Sequence, residues 1–329
     1  MSNLTSTALW AVAKGQLALR TESLRARADN DVLVRALYSG VSRGTERLVL
    51  TGAIPESEHE RMRCPLQDGS FPFPVKYGYC LVGQVLDGPS DMVGTNVFCL
   101  HPHQDLALVP SGMAVPIPPE LAPHRAVLAA NMETALNINW DSGIAPGDRV
   151  LIVGAGVVGL LTASLAAAIP GTDVFITDID ASKAGIAGAM GAMFCTPGHT
   201  PDGFDICINT SGSAAGLRLA LAKAGLEARV VEASWYGTDQ VPLPLGEAFH
   251  SQRLSLISSQ VGRIPPARQP RWTHRRRLEK AMQLLTCQAG YDSLLTHSVP
   301  FANAAADLPT LICDTADALC IAIDYTAED

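Results

Sequence analysis

Three glycines in an apolar stretch carry the clearest chemical signal of the chain. The stretch, VLIVGAGVVGLLTASLAAAIP at residues 150–170, contains no charged residue. Gly154 permits a tight turn, Gly156 lets the backbone approach a pyrophosphate, and Gly159 lets a helix pack close to a strand. The spacing therefore predicts a dinucleotide site.

The elements that must position these glycines can be identified around them. Residues 150–153 form a short β-branched run, which is typical of a buried parallel strand. Residues 160–169 favour a helix, and residues 174–177 form a second strand that ends at Asp178. Strand, glycine turn, helix, strand and acid in this order favour the nucleotide interpretation over a glycine turn beside a buried helix.

The acid predicts which cofactor binds. The helix start at Val157 and Val158 directs free N–H groups and the positive end of the helix dipole towards the phosphates. Asp178 is placed to accept the ribose hydroxyls, and it would repel a 2′-phosphate. We therefore expect NAD(H) rather than NADP(H). Lys183 could soften this preference, but we expect it to be a solvated helix charge.

The same stretch is long enough to cross a bilayer, so that alternative must be weighed. It lacks flanking basic anchors and is the only such run, which argues against a membrane span. The net charge of −8 excludes a basic footprint for nucleic acid. The N-terminus does not have the pattern of a secretory signal. Eight scattered cysteines without a C-x-x-C pair indicate reduced thiols in a cytoplasmic protein.

The change in sequence pattern along the 329-residue chain predicts two domains. Residues 1–128 contain short β segments with many prolines, and residues 129–264 alternate strands and helices, which implies an α/β fold with a parallel sheet. Residues 265–329 are expected to complete the first domain. Strands are predicted at residues 205–209, 229–233, 255–260 and 319–325, and helices at 126–141, 273–285 and 294–308.

This organisation resembles the medium-chain dehydrogenase/reductase superfamily. The resemblance is carried by SGVSRGTE at 39–46, PVKYGYCLVGQV at 74–85, NMETAL at 131–136, PGDRVLIVGAGVVG at 146–159 and LLTHSVPF at 294–301. It implies a GroES-like β-rich domain that binds a small-molecule substrate, joined to a Rossmann domain with a doubly wound parallel sheet. It also implies a homodimer through the Rossmann sheet edge, which we expect near residues 241–245, VPLPL.

The zinc ligands of the superfamily do not match. The segment at 42–46, SRGTE, has no cysteine, and GYC at 78–80 stands where zinc-dependent members carry Gly-His-Glu. The third ligand region, near Ala130, lacks cysteine, although Glu133 is nearby, and the four-cysteine lobe is missing. Zinc needs three or four N, S or O ligands, so the resemblance implies a zinc-independent member without a metal. Cys80 is expected to be a small buried apolar residue.

Within this branch, the chain resembles the bacteriochlorophyllide a dehydrogenase-like group. The shared features are GVSRGTE, the tyrosine in place of the zinc-ligand histidine, SSQVG at 258–262 and the segment at 271–278. The group oxidises a hydroxyethyl side chain on a chlorin ring. Arg43 and Cys80 depart from its pattern. The resemblance implies a bulky flat substrate, such as a chlorin.

The resemblance also implies catalytic roles for residues of the first domain. Tyr79 would donate a hydrogen bond to the substrate oxygen in place of a metal; the alternative is a core aromatic. Thr45 matches a proton-relay hydroxyl. Glu46 is an acid beside it or the partner of a neighbouring arginine. Arg43 would hold the pyrophosphate.

Two histidines follow a predicted strand at NVFCL. His101 and His103 could be metal ligands, a proton shuttle or polar groups lining a cleft, and a surface turn is the commonest outcome for such a pair. We include His101 among the candidate catalytic residues. The charged run HRRRLEK at 274–280 could contact an acidic substrate, but we expect it to be a solvated helix face.

The nicotinamide is expected at the carboxyl ends of the parallel strands, where open α/β sheets bind their ligands. Family members contact it at positions that correspond here to Thr134, Val158, Ser234, Trp235, Ser259 and Gln260. Trp235 and Tyr236 would also offer aromatic area to a flat substrate; the alternative is that both pack between the domains.

Together these features predict a zinc-independent, NAD-dependent alcohol dehydrogenase or carbonyl reductase acting on a secondary alcohol or ketone. Two alternatives remain open. A quinone or enoyl reductase would reduce C=C bonds and also lacks zinc. A redox-sensing or structural protein would bind NAD without turnover.

Overall fold

The computed structural model describes residues 4–315 and 317–327. Its strands are β1 (Thr5–Ala13), β2 (Gln16–Ser23), β3 (Asp31–Val41), β4 (Asp68–Gly69), β5 (Val75–Lys76), β6 (Leu81–Asp87), β7 (Asn96–Cys99), β8 (Leu106–Pro110), β9 (Ala114–Pro116), β10 (Arg149–Val153), β11 (Asp173–Thr177), β12 (Met193–Cys195), β13 (Phe204–Asn209), β14 (Ala224–Glu232), β15 (Ser255–Ser258), β16 (Leu295–Pro300) and β17 (Cys320–Asp324). Its α-helices are α1 (Arg43–Thr51), α2 (Pro123–Ala126), α3 (Ala129–Ser142), α4 (Val157–Ala167), α5 (Ala184–Ala189), α6 (Ala214–Lys223), α7 (Ala248–Ser251), α8 (His274–Thr286) and α9 (Ala304–Cys313).

The chain divides into two compact units. One comprises the residues up to Ala130 and from Leu278 onward, and the other is Asn131–Arg277. The first boundary lies two residues after the one that we predicted, and the second lies at 277/278 rather than at 264/265. Arg277 belongs to the second unit because its guanidinium bonds with Glu133 and Asn137 there.

The first unit is built from two mostly antiparallel sheets. The larger has the order β16-β17-β3-β6-β7-β9, with β8 also paired to β3, and the smaller has the order β2-β1-β5-β4. Alternating apolar residues of β3 and β6, such as Val32, Val34 and Leu81, are fully buried in one core. Helix α9 packs against β17 and β1 in a second core, through Leu308 and Ile312.

The second unit is a doubly wound parallel sheet, as predicted. Its order is β12-β11-β10-β13-β14-β15, and every pairing is parallel. Val153 pairs with Thr177 on one side and with Asn209 on the other. Glu232 pairs with Ser258 further along. The carboxyl ends of these strands therefore lie along one edge, and the order of strands reverses at β10, where such sheets bind ligands.

The predicted edge strand at 241–245 is wrong. These residues form no strand, and the outer strands of the sheet are β12 and β15. Pro242 and Pro244 explain the difference, because proline has no N–H to contribute to a ladder. Val241 and Leu243 instead pack against the core of the second unit.

The predicted helix over 294–308 is also wrong in its first half. Residues Leu295–Pro300 form strand β16, which runs parallel to β17, and the helix begins only at Ala304. The exposed and buried side chains alternate at Ser298, Val299 and Pro300. Because pairing with β17 buries Val299, tertiary contacts decide the conformation of this segment.

The stretch at 150–170 is divided between β10 and α4. Over residues 4–315 and 317–327, no helix combines the length and the apolar character needed to cross a bilayer. All eight cysteines lie in these ranges, and all are free.

Candidate functional site

The glycine turn has the geometry that a dinucleotide requires. Gly154 has φ +104°, and a Cβ there would lie 2.8 Å from the backbone of Ser211. A Cβ on Gly159 would lie 2.0 Å from the carbonyl oxygen of Gly154, so helix α4 packs directly on the turn. Gly156 faces open space. No side chain caps α4, which begins at Val157, so its first N–H groups can bond phosphate oxygens.

Asp178 closes this turn from the next strand. Its Oδ2 accepts the N–H of Ala155 at 2.7 Å, and its Oδ1 accepts that of Asp180 at 3.0 Å. Lys183 was expected to be a solvated charge, and this expectation is wrong. Its Nζ lies 3.3 Å from Asp178 Oδ2, and its side chain is 18% exposed, because the short turn after β11 brings the two residues together.

A polar cluster lies at the carboxyl edge of the sheet, and of its members only Ser234 was among the predicted site residues. Asn209 Nδ2 donates to Glu232 Oε2 at 2.8 Å and to the Tyr236 hydroxyl at 2.9 Å. Ser234 N donates to Glu232 Oε1 at 2.7 Å, and Gly212 N donates to Ser234 Oγ at 3.0 Å. The available signal was that Asn209 ends one predicted strand and Glu232 is the penultimate residue of the next.

The residues predicted to contact the nicotinamide lie on several elements of the second unit. Thr134 lies on α3, Trp235 follows β14, and Ser259 and Gln260 follow β15. Ser259 Oγ donates to Asp141 Oδ2 at 2.6 Å, which ties the end of β15 to α3.

The predicted solvated face at 274–280 is wrong for one residue. Arg277 is 2% exposed and donates to Glu133 Oε1 at 2.9 Å, Asn137 Oδ1 at 2.5 Å and the Val261 carbonyl oxygen at 2.5 Å. Burial raises the pKa of Glu133, and the charge of Arg277 opposes that rise. One arginine of this charged helical segment is therefore a buried cation.

In the first unit, helix α1 positions the segment SRGTE. Ser42 precedes the helix, and Glu46 Oε1 accepts the Ser42 N–H at 2.7 Å. Glu46 is 8% exposed. The side chains of Ser42 and Thr45 lie close enough to the Tyr79 phenol to influence its pKa. The structure thus brings together three of the four candidate catalytic residues: Tyr79, Thr45 and Glu46.

Burial of the Tyr79 phenol raises its pKa well above the ordinary value, although the side chains of Ser42 and Thr45 oppose the rise. The phenol is therefore un-ionised at neutral pH. In that form it can donate a hydrogen bond to an oxygen that gains negative charge. To act in the opposite direction as a base, it must pass its own proton on.

The two histidines do not lie on a surface turn, so that expectation is wrong. His101 is 6% exposed and His103 is 1% exposed. Burial lowers the pKa of His101 to about 4, and its Nδ1 lies 2.8 Å from the Pro102 carbonyl oxygen. His103 Nε2 lies 3.0 Å from Glu46 Oε2. The partner of Glu46 is therefore a histidine, and not the arginine that we considered.

Arg43 makes its contacts inside the first unit. Its Nε donates to the Ile312 carbonyl oxygen at 3.0 Å, and its Nη1 to that of Ala318 at 2.5 Å. These bonds tie α1 to the end of α9. A role in binding pyrophosphate stays a prediction.

Zinc does not fit the donors present. Over residues 4–315 and 317–327, no group of three or more His, Cys, Asp or Glu side chains is arranged to hold a metal ion. Cys80 is 1% exposed, and burial raises the pKa values of Cys64 and Cys99 to about 12, which disfavours the thiolate form that binds metal.

Comparison with known proteins agrees with this architecture. No protein-family model matches the sequence. The curated D-guloside 3-dehydrogenase of Escherichia coli K12 is 24% identical over 315 residues, covering 85% of this chain and 88% of that protein.

Two solved structures illustrate the shared fold. A zinc-binding dehydrogenase from Sinorhizobium meliloti 1021, bound to NADP, has a TM-score of 0.77 at 20% identity, over 98% of this chain and 99% of that one. A short chain alcohol dehydrogenase from E. coli CFT073, complexed with NADH, has a TM-score of 0.77 at 16% identity over the same shares of the two chains. The chain therefore has the GroES-like plus Rossmann fold of these dehydrogenases, which confirms the predicted fold class.

Proposed function

We propose that the protein is a nicotinamide-dependent oxidoreductase that interconverts a secondary alcohol and a ketone without zinc. When bound, the nicotinamide accepts the hydride in oxidation and donates it in reduction. The glycine turn, the free N–H groups at the start of α4 and Asp178 would hold the dinucleotide. Hydride transfer further requires that the substrate carbon reach the nicotinamide.

The observation that carries this proposal is the position of the Tyr79 phenol beside Ser42 and Thr45, at the start of α1. The tyrosine occupies the sequence position of a zinc-ligand histidine, and it lies near Ser42 and Thr45, on the segment that leads to Glu46. A phenol donor at this position can stabilise the negative charge that develops on the substrate oxygen. His101 is neutral at pH 7, so its ring carries a single N–H. Its Nδ1 donates that proton to the Pro102 carbonyl oxygen, so His101 has no other N–H to donate to the substrate oxygen.

The likeness to D-guloside 3-dehydrogenase supports a secondary alcohol of a sugar or sugar glycoside as the substrate class. The test is a spectrophotometric assay of NADH formation on sugar glycosides, polyols, simple secondary alcohols and a hydroxyethyl chlorin. Activity on enones alone would replace the proposal with a C=C reductase. NADH binding without turnover on any class would indicate a non-catalytic protein.

We expect the purified protein to contain no stoichiometric zinc, because its donors do not form a three-ligand set. Elemental analysis should give well under one zinc per chain, and incubation with EDTA should leave the rate of turnover unchanged. One zinc per chain, together with loss of activity in EDTA, would contradict the proposal.

We expect NADH to bind at least tenfold more tightly than NADPH, a difference of about 1.4 kcal/mol. Asp178 would accept the ribose hydroxyls and repel the 2′-phosphate, while Lys183, 3.3 Å away, would attract it. Asp178→Ser should narrow the difference and Lys183→Ala should widen it. Fluorescence titration of the wild type and both variants measures these affinities, and tighter binding of NADPH by the wild type would refute the role of Asp178.

The homodimer also remains a proposal, with a corrected interface. Strand β15 ends the parallel sheet and offers unpaired backbone groups that a second copy could extend. Light scattering at micromolar concentration should give about twice the 34.7 kDa of one chain. The mass of a single chain would exclude this assembly.

The free cysteines support the proposed cytoplasmic location.

A further inference from the structure

A carboxylate that is held by three hydrogen bonds lies at the carboxyl edge of the parallel sheet. Glu232 ends β14 and is half-buried, and its Oε2 accepts from Asn209 Nδ2 and from the Tyr236 hydroxyl, both at 2.8 Å. Its Oε1 accepts the N–H of Ser234 at 2.7 Å. All three partners are donors, which suits an ionised carboxylate, because that group only accepts hydrogen bonds. Glu232 therefore places a negative charge at this edge.

The hydrogen bonds of Asn209 connect this carboxylate to the glycine turn. Asn209 Oδ1 accepts the Ser211 hydroxyl at 2.7 Å and the Ser211 N–H at 3.3 Å, so its Nδ2 faces Glu232. A Cβ on Gly154 would lie 2.8 Å from the Ser211 backbone, and Thr210 Oγ1 donates to the Gly154 carbonyl oxygen at 3.0 Å. The carboxylate is thus fixed in position relative to the turn.

Glu232 lies on the side of the turn where the nicotinamide half of the dinucleotide is expected. Along the edge, the strands follow the order β11-β10-β13-β14-β15, with Asp178 after β11 and the glycine turn after β10. With Asp178 on the adenosine ribose and the turn on the pyrophosphate, the rest of the molecule continues over the ends of β13, β14 and β15. Asn209 and Glu232 end two of these strands and pair in register. The Ser259 N–H donates to the Glu232 carbonyl oxygen at 2.9 Å, so the carboxylate lies beside a predicted nicotinamide contact.

The oxidised and reduced forms of the nicotinamide differ in the charge of the ring. The oxidised ring carries one positive charge and the reduced ring is neutral, whereas the ribose and pyrophosphate groups are the same in both. A negative charge nearby attracts only the oxidised ring. The contribution of the phosphates cancels in the ratio of the two dissociation constants, so this ratio isolates the effect of a charge near the ring.

We propose that Glu232 favours the oxidised nicotinamide through its charge, and that Asn209, Ser234 and Tyr236 position its carboxylate; this inference rests on the nicotinamide site of the proposed function. In ketone reduction, a hydride leaves the reduced ring and forms a C–H bond at the carbonyl carbon. The π electrons of C=O move to the oxygen, which takes up a proton from a donor in the site. The positive charge left on the ring is stabilised by Glu232, so the site favours reduction of the ketone over oxidation of the alcohol.

The test compares the dissociation constants of NAD⁺ and NADH, measured by isothermal titration calorimetry without substrate. Glu232→Gln keeps the size of the side chain and removes its charge. It should raise the ratio of the NAD⁺ constant to the NADH constant about three- to tenfold. Glu232→Ala, a second neutral variant, should give the same rise, whereas Glu232→Asp keeps the charge and should stay close to the wild-type ratio.

An exchange of the two paired side chains separates charge from structure. Asn209→Asp/Glu232→Gln moves the carboxylate to the neighbouring position on β13, and the hydrogen bond between the two side chains then runs in the opposite direction. Because one negative charge stays at the same edge, this double variant should regain the wild-type ratio. A double variant with the ratio of Glu232→Gln would overturn the role of the charge.

Glu227→Gln is the matched control. It makes the same substitution on the same strand, five residues earlier, at a side chain that is 61% exposed and pairs with Arg253. Its ratio should equal that of the wild type. The wild-type ratio in both Glu232→Gln and Glu232→Ala, or an equal rise in Glu227→Gln, would overturn the inference and leave the proposed function standing. A wild type that binds neither NAD⁺ nor NADH would overturn both.

The direction of the reaction gives a second readout. In single-turnover experiments with saturating cofactor, Glu232→Gln should slow ketone reduction more than alcohol oxidation, because only reduction leaves a positive charge on the ring. Equal slowing in the two directions would contradict the proposed effect of the charge.

Discussion

Tyr79→Phe is expected to lower kcat by about two orders of magnitude while substrate KM changes little. The phenol would donate to an oxygen whose negative charge is larger in the transition state than in the ground state, so its loss affects the rate more than binding. Removing one such donor typically costs 10²- to 10³-fold in rate, or about 3–4 kcal/mol. Steady-state kinetics on the best substrate of the panel measures the effect.

Tyr77→Phe is the control for this variant. The Tyr77 ring packs edge-on against that of Tyr79 at 6.0 Å between centroids, and Tyr77 is 8% exposed. Both substitutions keep the ring and remove one hydroxyl, so folding and NADH affinity should hardly change in either. If Tyr79→Phe turned over like Tyr77→Phe at the wild-type rate, Tyr79 would be a core aromatic.

Arg277→Leu is expected to destabilise the protein by about 3–5 kcal/mol, the range for removing one partner of a buried ion pair. The substitution leaves the Glu133 carboxylate buried without its cation, and Asn137 and the Val261 carbonyl oxygen without a donor. Since 1 kcal/mol corresponds to about 2–4 °C for a unit of this size, thermal denaturation should show a fall in Tm on the order of 10 °C.

The double variant Arg277→Leu/Glu133→Leu should recover at least half of that loss, because removing both charges leaves no uncompensated ion. Lys280→Ala removes an exposed charge from the same helix and should stay within about 0.5 kcal/mol of the wild type. A single Arg277→Leu variant as stable as Lys280→Ala would show that the buried pair contributes nothing.

The sequence alone was sufficient to predict the second unit and its glycine turn. Its signals are local: an apolar run forms β10, glycines at short spacing form the turn, and an acid ends the next strand. Right-handed crossovers then restrict the order of strands. Residues 241–245 were assigned wrongly because an apolar, proline-containing segment can pack against a core without joining the sheet.

The helix predicted over residues 294–300 was wrong for a related reason. It joins β17, whose paired residues lie more than 20 positions further along the chain, so its conformation depends on a distant partner. Local preference for strand or helix is weak compared with such pairing.

The residues of the candidate sites likewise separate into those predicted from local sequence and those whose partners are distant in the chain. The sequence predicts Tyr79, Thr45, Glu46, Asp178 and the glycines as site residues by type, position and resemblance. Only the tertiary structure joined Glu46 to His103, 57 residues away, and Ser39 to Tyr325, 286 residues away. It likewise showed that Arg277, predicted as a surface charge, is the buried partner of Glu133, 144 residues away. The physical reason is that periodicity and spacing record contacts within one element or its neighbour. The partner of a buried charge comes instead from a distant element that packs against it in the folded core.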